Sequence, residues 1–409
     1  MFKRFSNSSL YLNRIQLSLT AKVGLTLIIL LSLASFSGAY LRPDKTPMAN
    51  HQFRTLARLK PMTSVEFLKV KKNLEVEGAP WYDQFFLGGR EPEFELVPFD
   101  EIEFQDHRVK LKLRSTLGVE EYRFYSFIDI LYPVNSEIIA AYISLNDNHF
   151  KFVDALGNDR SVDVEAAKLE IQSAHIERNT FLLGTDQFGR DMLSRLMAGS
   201  IATITIAFLS VAIAFLFGVG MGLIAGFYGG LVDRFLSWII NVFWSVPPVL
   251  LVIAITMLIG QGAFGTLVGI GLIIWVEMAQ VVRGEVIAIR NRDFVKAAHL
   301  MGLSDGKIIL QHILPNVRNS IVVLSIGNFS EAVLLESGMS FLGAGIQPPV
   351  PSWGSMLRES YGYIITDSAY MPIFPGLAIV ILVLSFGALG KGFGTNLRES
   401  GSSQSIAAA

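Results

Sequence analysis

The chain has 409 residues, of which 51% are hydrophobic and only 17% are charged, and its mean hydropathy is +0.45. Because soluble domains are about 25% charged, this composition excludes an ordinary soluble protein. The chain has no cysteine, which excludes a disulfide framework and thiolate metal sites. The formal net charge is −1, although residues 42–180 hold more acids than bases, and we expect no nucleic-acid partner.

Long apolar runs predict a chain that crosses a membrane several times, since about 20 apolar residues span the hydrocarbon core. The runs are 23–41, 196–232, 235–276, 319–343 and 368–390. The third run is long enough for two spans, broken at Gly260-Gln261-Gly262. We therefore predict six spans, of which the fifth, interrupted by Glu331 and Glu336, is open to question. The first run is longer than the core of a signal peptide, so we expect a retained helix.

The distribution of basic residues predicts the orientation, because short loops rich in Lys and Arg stay in the cytoplasm. The basic residues concerned are Lys3, Arg4, Arg14, Lys22, Arg283, Arg290, Arg292, Lys296, Lys307, Arg318, Lys391 and Arg398. They occur before span one, between spans four and five, and after span six. Both termini and the segment 283–318, called here the charged loop, are therefore expected in the cytoplasm. Residues 42–195 are expected to be extracytoplasmic.

The insert between spans one and two is long enough for a small folded domain. Strict alternation over 108–114 predicts a half-buried strand, and the runs 122–130 and 138–144 are rich in aromatic and β-branched residues. The segment 161–178 has helical spacing. We therefore predict a small α+β domain. The acid-rich stretch 91–106 has no calcium-loop spacing, which favours a solvated face, and no metal site is expected.

The charged loop carries a pattern of its own. Its residues Asp293–Met301 have helical spacing, and Gly302 can adopt the left-handed conformation that ends a helix. Ser304 is a suitable N-cap for a second helix that begins at Asp305, and Pro315 predicts a boundary before span five. The pattern is compatible with a docking surface or with an ordinary amphipathic loop at the membrane surface.

Three separated motifs resemble one family of membrane proteins. They are the Ala297-Ala298 pair with Gly302 and HILPN (312–316), LGTDQFGRD (183–191), and SFLG (340–343) with QPP (347–349) and SWG (352–354). Over about residues 180–395 the chain resembles the second permease subunit of ATP-binding-cassette importers for dipeptides, oligopeptides or nickel. The resemblance implies an all-α, polytopic inner-membrane bundle of six helices, here with the α+β insert. Lys296 stands where the family's loop motif has its acid, so that carboxylate contact is not carried over.

The resemblance also implies partners and a mechanism. The partners are a homologous second permease, two ATP-binding subunits, an extracytoplasmic solute-binding protein and membrane lipid. ATP is hydrolysed by the partners, and no cofactor or catalytic residue is expected in this chain, which is therefore not an enzyme. The loop residues expected to dock on the ATPase are Asp293, Phe294, Lys296, Ala297, Ala298, Met301, Gly302, Ser304, Asp305, His312 and Pro315.

Polar residues within or beside the apolar runs are further candidates. An ionised carboxylate inside a span usually faces a cavity or a partner, so Glu277, Glu331 and Glu336 are candidates for a translocation path, with Asn241 as a weaker one. The glycines of span two favour close helix packing over a pore, and Pro247-Pro248 predicts a break in span three. The external-loop motif residues are Gly184, Asp186, Gly189, Arg190 and Asp191; they fit local salt bridges and caps, or contact with a solute-binding protein.

The predicted organisation follows the spans. It consists of a cytoplasmic N-terminus (1–22), helix 1 (23–41), the insert (42–195), the permease core with helices 2–6 (196–395) and a cytoplasmic tail (396–409). The expected function is a permease subunit for peptides or a similar small solute. The alternatives are a membrane-anchored sensor or scaffold whose insert binds a ligand, and an intramembrane enzyme, for which no HExxH, GxSxG or paired-aspartate pattern is visible.

Overall fold

A computed structural model describes residues 18–73, 91–116, 118, 120–134, 144–146, 149–153 and 159–406. Lys3, Arg4, Arg14 and most of the run 138–144 lie outside the described residues. The chain forms two compact units. The helical unit contains Gly199–Glu359 and segments near both ends of the chain, and the sheet unit contains Ser37–Ala198 and Ser360–Pro372.

The described elements are numbered in chain order. The helices are α1 (Leu19–Phe36), α2 (Gly38–Leu41), α3 (Phe127–Leu131), α4 (Val164–Ala174), α5 (Met192–Tyr228), α6 (Gly230–Trp244), α7 (Pro248–Ile259), α8 (Ala263–Arg290), α9 (Asp293–Leu300), α10 (Asp305–Leu342), α11 (Trp353–Ser360) and α12 (Tyr370–Ile406). The strands are β1 (Thr63–Lys71), β2 (Phe94–Gln105), β3 (Arg108–Leu113), β4 (Tyr122–Ser126), β5 (Ser144–Asn146), β6 (His149–Val153), β7 (Asp159–Asp163) and β8 (Ile176–Phe181).

Among the described residues, five helices are long and apolar enough to cross a membrane: α1, α5, α8, α10 and α12. A sixth span results only if α6 and α7 count as one, and these helices meet at an angle of 93°. The break falls at Pro247-Pro248, as the sequence predicts, because a proline there cannot donate an intrahelical hydrogen bond. The third predicted span is therefore the one open to question. The fifth is continuous despite its two glutamates.

Helix α10 corrects the boundary that was predicted at Pro315. The helix runs from Asp305 to Leu342, with a π-helical turn at Ile309–Ile313 directly before Leu314 and Pro315. A proline inside an α-helix clashes with the carbonyl of the preceding turn. A π turn changes the hydrogen-bond spacing at that point, so the helix continues past the proline and the second loop helix merges with span five.

Helices α5 and α8 pack closely because glycines lie between them. A Cβ at Gly222 would lie 2.7 Å from the Ala279 carbonyl oxygen and 2.8 Å from Cβ of Val282. Gly218 and Gly226 stand one turn before and after it and are equally close to α8, whereas Gly220 has open space around it. This spacing agrees with the packing interpretation of the glycines, since small residues let helix backbones approach.

The sheet unit is built on a five-stranded antiparallel sheet in the order β4-β3-β2-β1-β8. The alternation predicted at 108–114 is confirmed, because Val109, Leu111 and Leu113 of β3 are buried. They share a core with Phe99 and with Ile171 of α4. A second sheet has the order β5-β6-β7.

Two sequence predictions for this unit are wrong in their extent. The run 122–130 is a strand only as far as Ser126, where a capping box between Ser126 and Asp129 starts α3. The helix predicted over 161–178 is confined to Val164–Ala174. Asp163 ends β7 and caps α4 by accepting the Ala166 N–H at 2.9 Å, and β8 follows at Ile176.

The glycine contact gives a prediction with a matched control on the same helix. Gly222→Leu should lower the stability of the detergent-solubilised protein by about 1–3 kcal/mol, because the new side chain overpacks the contact with α8. Gly220→Leu should change stability little, since nothing lies near its Cβ position. Thermal unfolding in detergent measures both, and equal unfolding temperatures for the two variants would contradict the packing account.

Candidate functional site

The charged loop is a helix, a tight turn and a second helix. Helix α9 ends at Leu300, and Gly302 has a φ of +75°, a conformation that side-chain-bearing residues rarely adopt. The Leu303 N–H donates to the Ala298 carbonyl at 3.2 Å and closes the turn. Ser304 occupies the N-cap position of α10, as predicted, but makes no side-chain capping hydrogen bond.

The inner face of the loop is part of the core of the helical unit. Val295, Ala298 and Ile308 are fully buried and pack in one cluster with residues of α5 and α8 such as Phe227 and Val286. Helical spacing allows Ala298 to share a face with Phe294, Ala297 and Met301, but in the structure Ala298 is buried whereas the other three are exposed. Its small side chain serves the packing of α9 against the bundle.

The outer face of the loop is apolar and exposed. The exposed fractions are 40% for Phe294, 90% for Leu300 and 71% for Met301, and Ala297 is also exposed. Lys296 makes only a solvent-exposed ion pair with Asp293 at 3.5 Å, an interaction worth little. The loop therefore presents a small apolar ridge on a rigid base. Asp305 and His312 are partly exposed at the start of α10, and Pro315 is exposed.

Two arginines of α8 connect this helix to α5 and α6. Their positions in the sequence predicted only the orientation of the chain. Arg283 forms a two-point ion pair with Asp233 of α6, with Nη2 to Oδ2 at 2.8 Å. Arg290 donates to the carbonyl oxygens of Gly226 and Phe227, each at 3.1 Å, at the end of α5. A basic residue at that position also complements the dipole of α5. Their only signal in the sequence was a set of charges beside apolar runs.

A cavity of about 250 Å³ lies where α6 and α7 break. Its lining includes Phe243, Trp244 and Pro248 at the break, Glu277 of α8 and Glu331 of α10. The structure thus brings together two of the carboxylates singled out in the sequence, which lie on different helices. Neither carboxylate has a hydrogen-bond or ion-pair partner within the described part of the chain.

The other two candidates for the path lie elsewhere. Glu336 is fully buried, accepts a hydrogen bond from the Ser340 hydroxyl at 2.8 Å, and has Ser337, Thr203 and Ser352 as further hydroxyl partners. This satisfied environment favours a structural role over a position on a path. Asn241 is exposed on α6 and is not among the residues that line the cavity.

The motif at 184–191 belongs to the sheet unit and forms a compact turn before α5. Asp186 accepts hydrogen bonds from the Phe188 and Arg190 backbone N–H groups and from Arg190 Nε at 2.5 Å. Gly184 and Gly189 both have positive φ. Asp191 Oδ2 accepts the Ser194 N–H at 2.8 Å in the first turn of α5. Burial raises the pKa of Asp191, opposed by the hydrogen bonds from Ser194.

Several apolar helices, a structured polar loop and a break in a candidate span define a multi-pass membrane transport component. Residues 218–399 match the model of the family described as binding-protein-dependent transport system inner membrane component. The chain belongs to this family and is a permease subunit of an ATP-binding-cassette importer, so the predicted resemblance is confirmed. Most of the sheet unit lies outside the matched residues.

Relatives named as transport permeases support the same assignment. The dipeptide transport system permease protein DppC of Alkalihalophilus pseudofirmus is 37% identical over 209 residues, covering 51% of this chain and 68% of the relative. The glutathione transport system permease protein GsiD of Pectobacterium atrosepticum is 35% identical over 210 residues, covering 51% and 69%. The inward-facing methionine transporter MetNI matches 48% of this chain and 93% of its own with 22% identity and a TM-score of 0.41, a likeness too distant to support further detail.

Proposed function

We propose that this chain forms half of a translocation path for peptides or similar small solutes and receives its driving motion through the charged loop. The observation that carries the proposal is the loop's two-sided construction. Val295 and Ala298 fix it to the core, while Phe294, Leu300 and Met301 leave an apolar ridge exposed. An exposed apolar patch rimmed by polar residues is typical of a protein-protein contact, and here the partner is an ATP-binding subunit.

The proposed mechanism is mechanical. Closure of two ATP-binding subunits moves α9, and α9 is packed on the same core as α5 and α8. The ion pair between Arg283 and Asp233 carries the displacement to α6. Such coupling requires that nucleotide binding favours one of two arrangements of the helices. A homologous second permease completes the path, and an extracytoplasmic solute-binding protein delivers the solute.

The proposed topology has six spans, with the bent pair α6–α7 as one of them, in the inner membrane. Both termini and the charged loop are cytoplasmic, and residues 42–195 are extracytoplasmic. The basic residues of short segments support this orientation. Peptides are the proposed solute class because the relatives carry dipeptide and glutathione transport names.

A ligand-binding role for the insert is the second candidate function. A cavity of about 590 Å³ lies in the sheet unit, with Phe53, Phe67 and Phe181 among its apolar lining and Lys69 and Glu177, which are paired at 2.5 Å, among its charged lining. That volume is typical of small-molecule sites. The residues that line it come from the sheet unit alone, so this role is compatible with the permease function.

The turn at Gly302 gives a direct test of docking. Gly302→Pro should leave a membrane-inserted protein that no longer retains its ATP-binding subunits on purification, because proline cannot adopt a φ of +75°. The matched control is Gly306→Ala, since Gly306 lies in the first turn of α10 with open space at its Cβ position. Full recovery of the partners with Gly302→Pro would rule out the proposed docking geometry.

The orientation can be tested because the chain has no cysteine. Single cysteines replace Glu170, exposed on α4, and Asn291, exposed beside α9. A membrane-impermeant maleimide added outside cells permeabilised only at the outer membrane should label Glu170→Cys, and should label Asn291→Cys only after the inner membrane is disrupted. The reverse pattern, or equal labelling of both, would contradict the proposed topology.

A further inference from the structure

Glu277 and Glu331 share one cavity without any partner of opposite charge. The cavity is lined otherwise by Phe243, Trp244, Val246, Pro248, Ile273, Ile274 and Val276. No lysine, arginine or histidine is among these described lining residues. Elsewhere in the described helical unit, carboxylates such as Asp233 and Glu336 do have partners, an arginine and a set of hydroxyls respectively. Glu277 and Glu331 therefore differ from these carboxylates in having no partner among the described residues.

Two glutamates without a partner of opposite charge are costly within membrane-spanning helices unless their carboxylates meet water or a cation. Glu277 lies within α8, a helix long and apolar enough to cross a membrane, roughly 21 Å along it from Ala263 at about 1.5 Å per residue. Its side chain is exposed on the surface of this chain. An ionised carboxylate that faces lipid within a span is costly, and such residues usually face a water-filled cavity or the interior of a bundle. An aqueous path or another subunit beside the cavity would avoid this cost.

The residues that line the cavity indicate which kind of chemical group it would bind. Two ionised carboxylates provide acceptors only, and the aromatic residues Phe243 and Trp244 are among the lining, a residue type whose ring face can attract a cation. The break between α6 and α7 places irregular backbone at the cavity, which is a common feature of transporter sites. A volume of about 250 Å³ lies below the roughly 300–1,000 Å³ that is typical of sites for whole small molecules. It fits the end group of a solute better than a whole peptide.

We infer that Glu277 and Glu331 form a site that binds the primary ammonium group of the passing solute, with Phe243 and Trp244 lining the same cavity. The inference rests on the proposed function and specifies it: the path recognises the amino terminus of a peptide. The ammonium group of the solute provides the positive charge that the two carboxylates lack. A solute without a primary ammonium is not held at this position.

The test uses a pair of probes that differ in the ammonium alone. Alanine amide carries it and N-acetylalanine amide does not, and both are too polar to partition into detergent. Saturation-transfer NMR on the purified complete importer, without the solute-binding protein, should detect alanine amide and not its acetylated form. Glu277→Gln and Glu331→Gln should each weaken alanine amide binding by about tenfold, since each removes one charge-assisted hydrogen bond.

The controls distinguish a loss of binding in the cavity from misfolding and from a loss of the ATP-binding subunits. Glu285→Gln makes the same chemical change on α8 outside the cavity lining and should leave binding unchanged, and Glu277→Asp should retain most of it. The Gln variants should still retain the ATP-binding subunits, whereas a failure of the docking proposal would appear as a wild-type protein that lacks them. Equal binding of the two probes, wild-type binding by the double Gln variant, or no binding of alanine amide to the wild-type protein would each overturn the inference.

Discussion

The close packing of α8 against α5 is the constraint on which the rest of the helical unit depends. Glycine at 222 and at its neighbours one turn away lets the two helices approach until side-chain-bearing residues would clash. On this base α8 carries Glu277 in the cavity, Arg283 in the ion pair with α6, and Arg290 at the end of α5. It also leads directly into the charged loop. The charged loop is therefore continuous with a helix that lines the cavity.

The charged groups fall into two classes that have different physical consequences. Asp186 with Arg190, and Asp233 with Arg283, are paired within the chain, and Glu336 is surrounded by hydroxyl groups. Asp186, Arg190 and Glu336 are buried, so their partners stabilise the fold, because a buried charge without a partner is strongly destabilising. Glu277 and Glu331 have no such partner among the described residues. Ionisable residues within a span usually face a cavity or the interior of a bundle and mark functional positions.

Much of the fold could be predicted from the sequence where a single local rule decides. The break at Pro247-Pro248 follows from the backbone N–H that proline lacks. The turn at Gly302 follows from the ability of glycine to adopt a positive φ. Strand β3 follows from the strict alternation of apolar and polar residues. Predictions failed where two rules competed. Proline at 315 suggested a helix boundary, and the π turn before it kept α10 continuous. The run 122–130 satisfied strand preferences, but the capping box at Ser126 started a helix within it.

The positions of the candidate site residues could likewise be predicted only in part from the sequence. Helical spacing allows Ala298 to share a face with Phe294, but spacing alone does not say which residues of α9 the core buries, and Ala298 is fully buried. The sequence also identified Glu277 and Glu331 as unusual without indicating that they meet, since they are far apart in the chain. The partners of Arg283 and Arg290 were equally hidden, because they depend on how α5, α6 and α8 pack in three dimensions.

The central claim is that the apolar ridge of the charged loop lies against an ATP-binding subunit. It is tested most directly by placing the chain's sole cysteine at Met301, which is 71% exposed, and attaching a photoactivated benzophenone maleimide in the assembled importer. Irradiation should produce an adduct of this chain with the ATP-binding subunit, and a cysteine at Glu170 should produce none. No adduct from position 301, or equal adducts from both positions, would contradict the account.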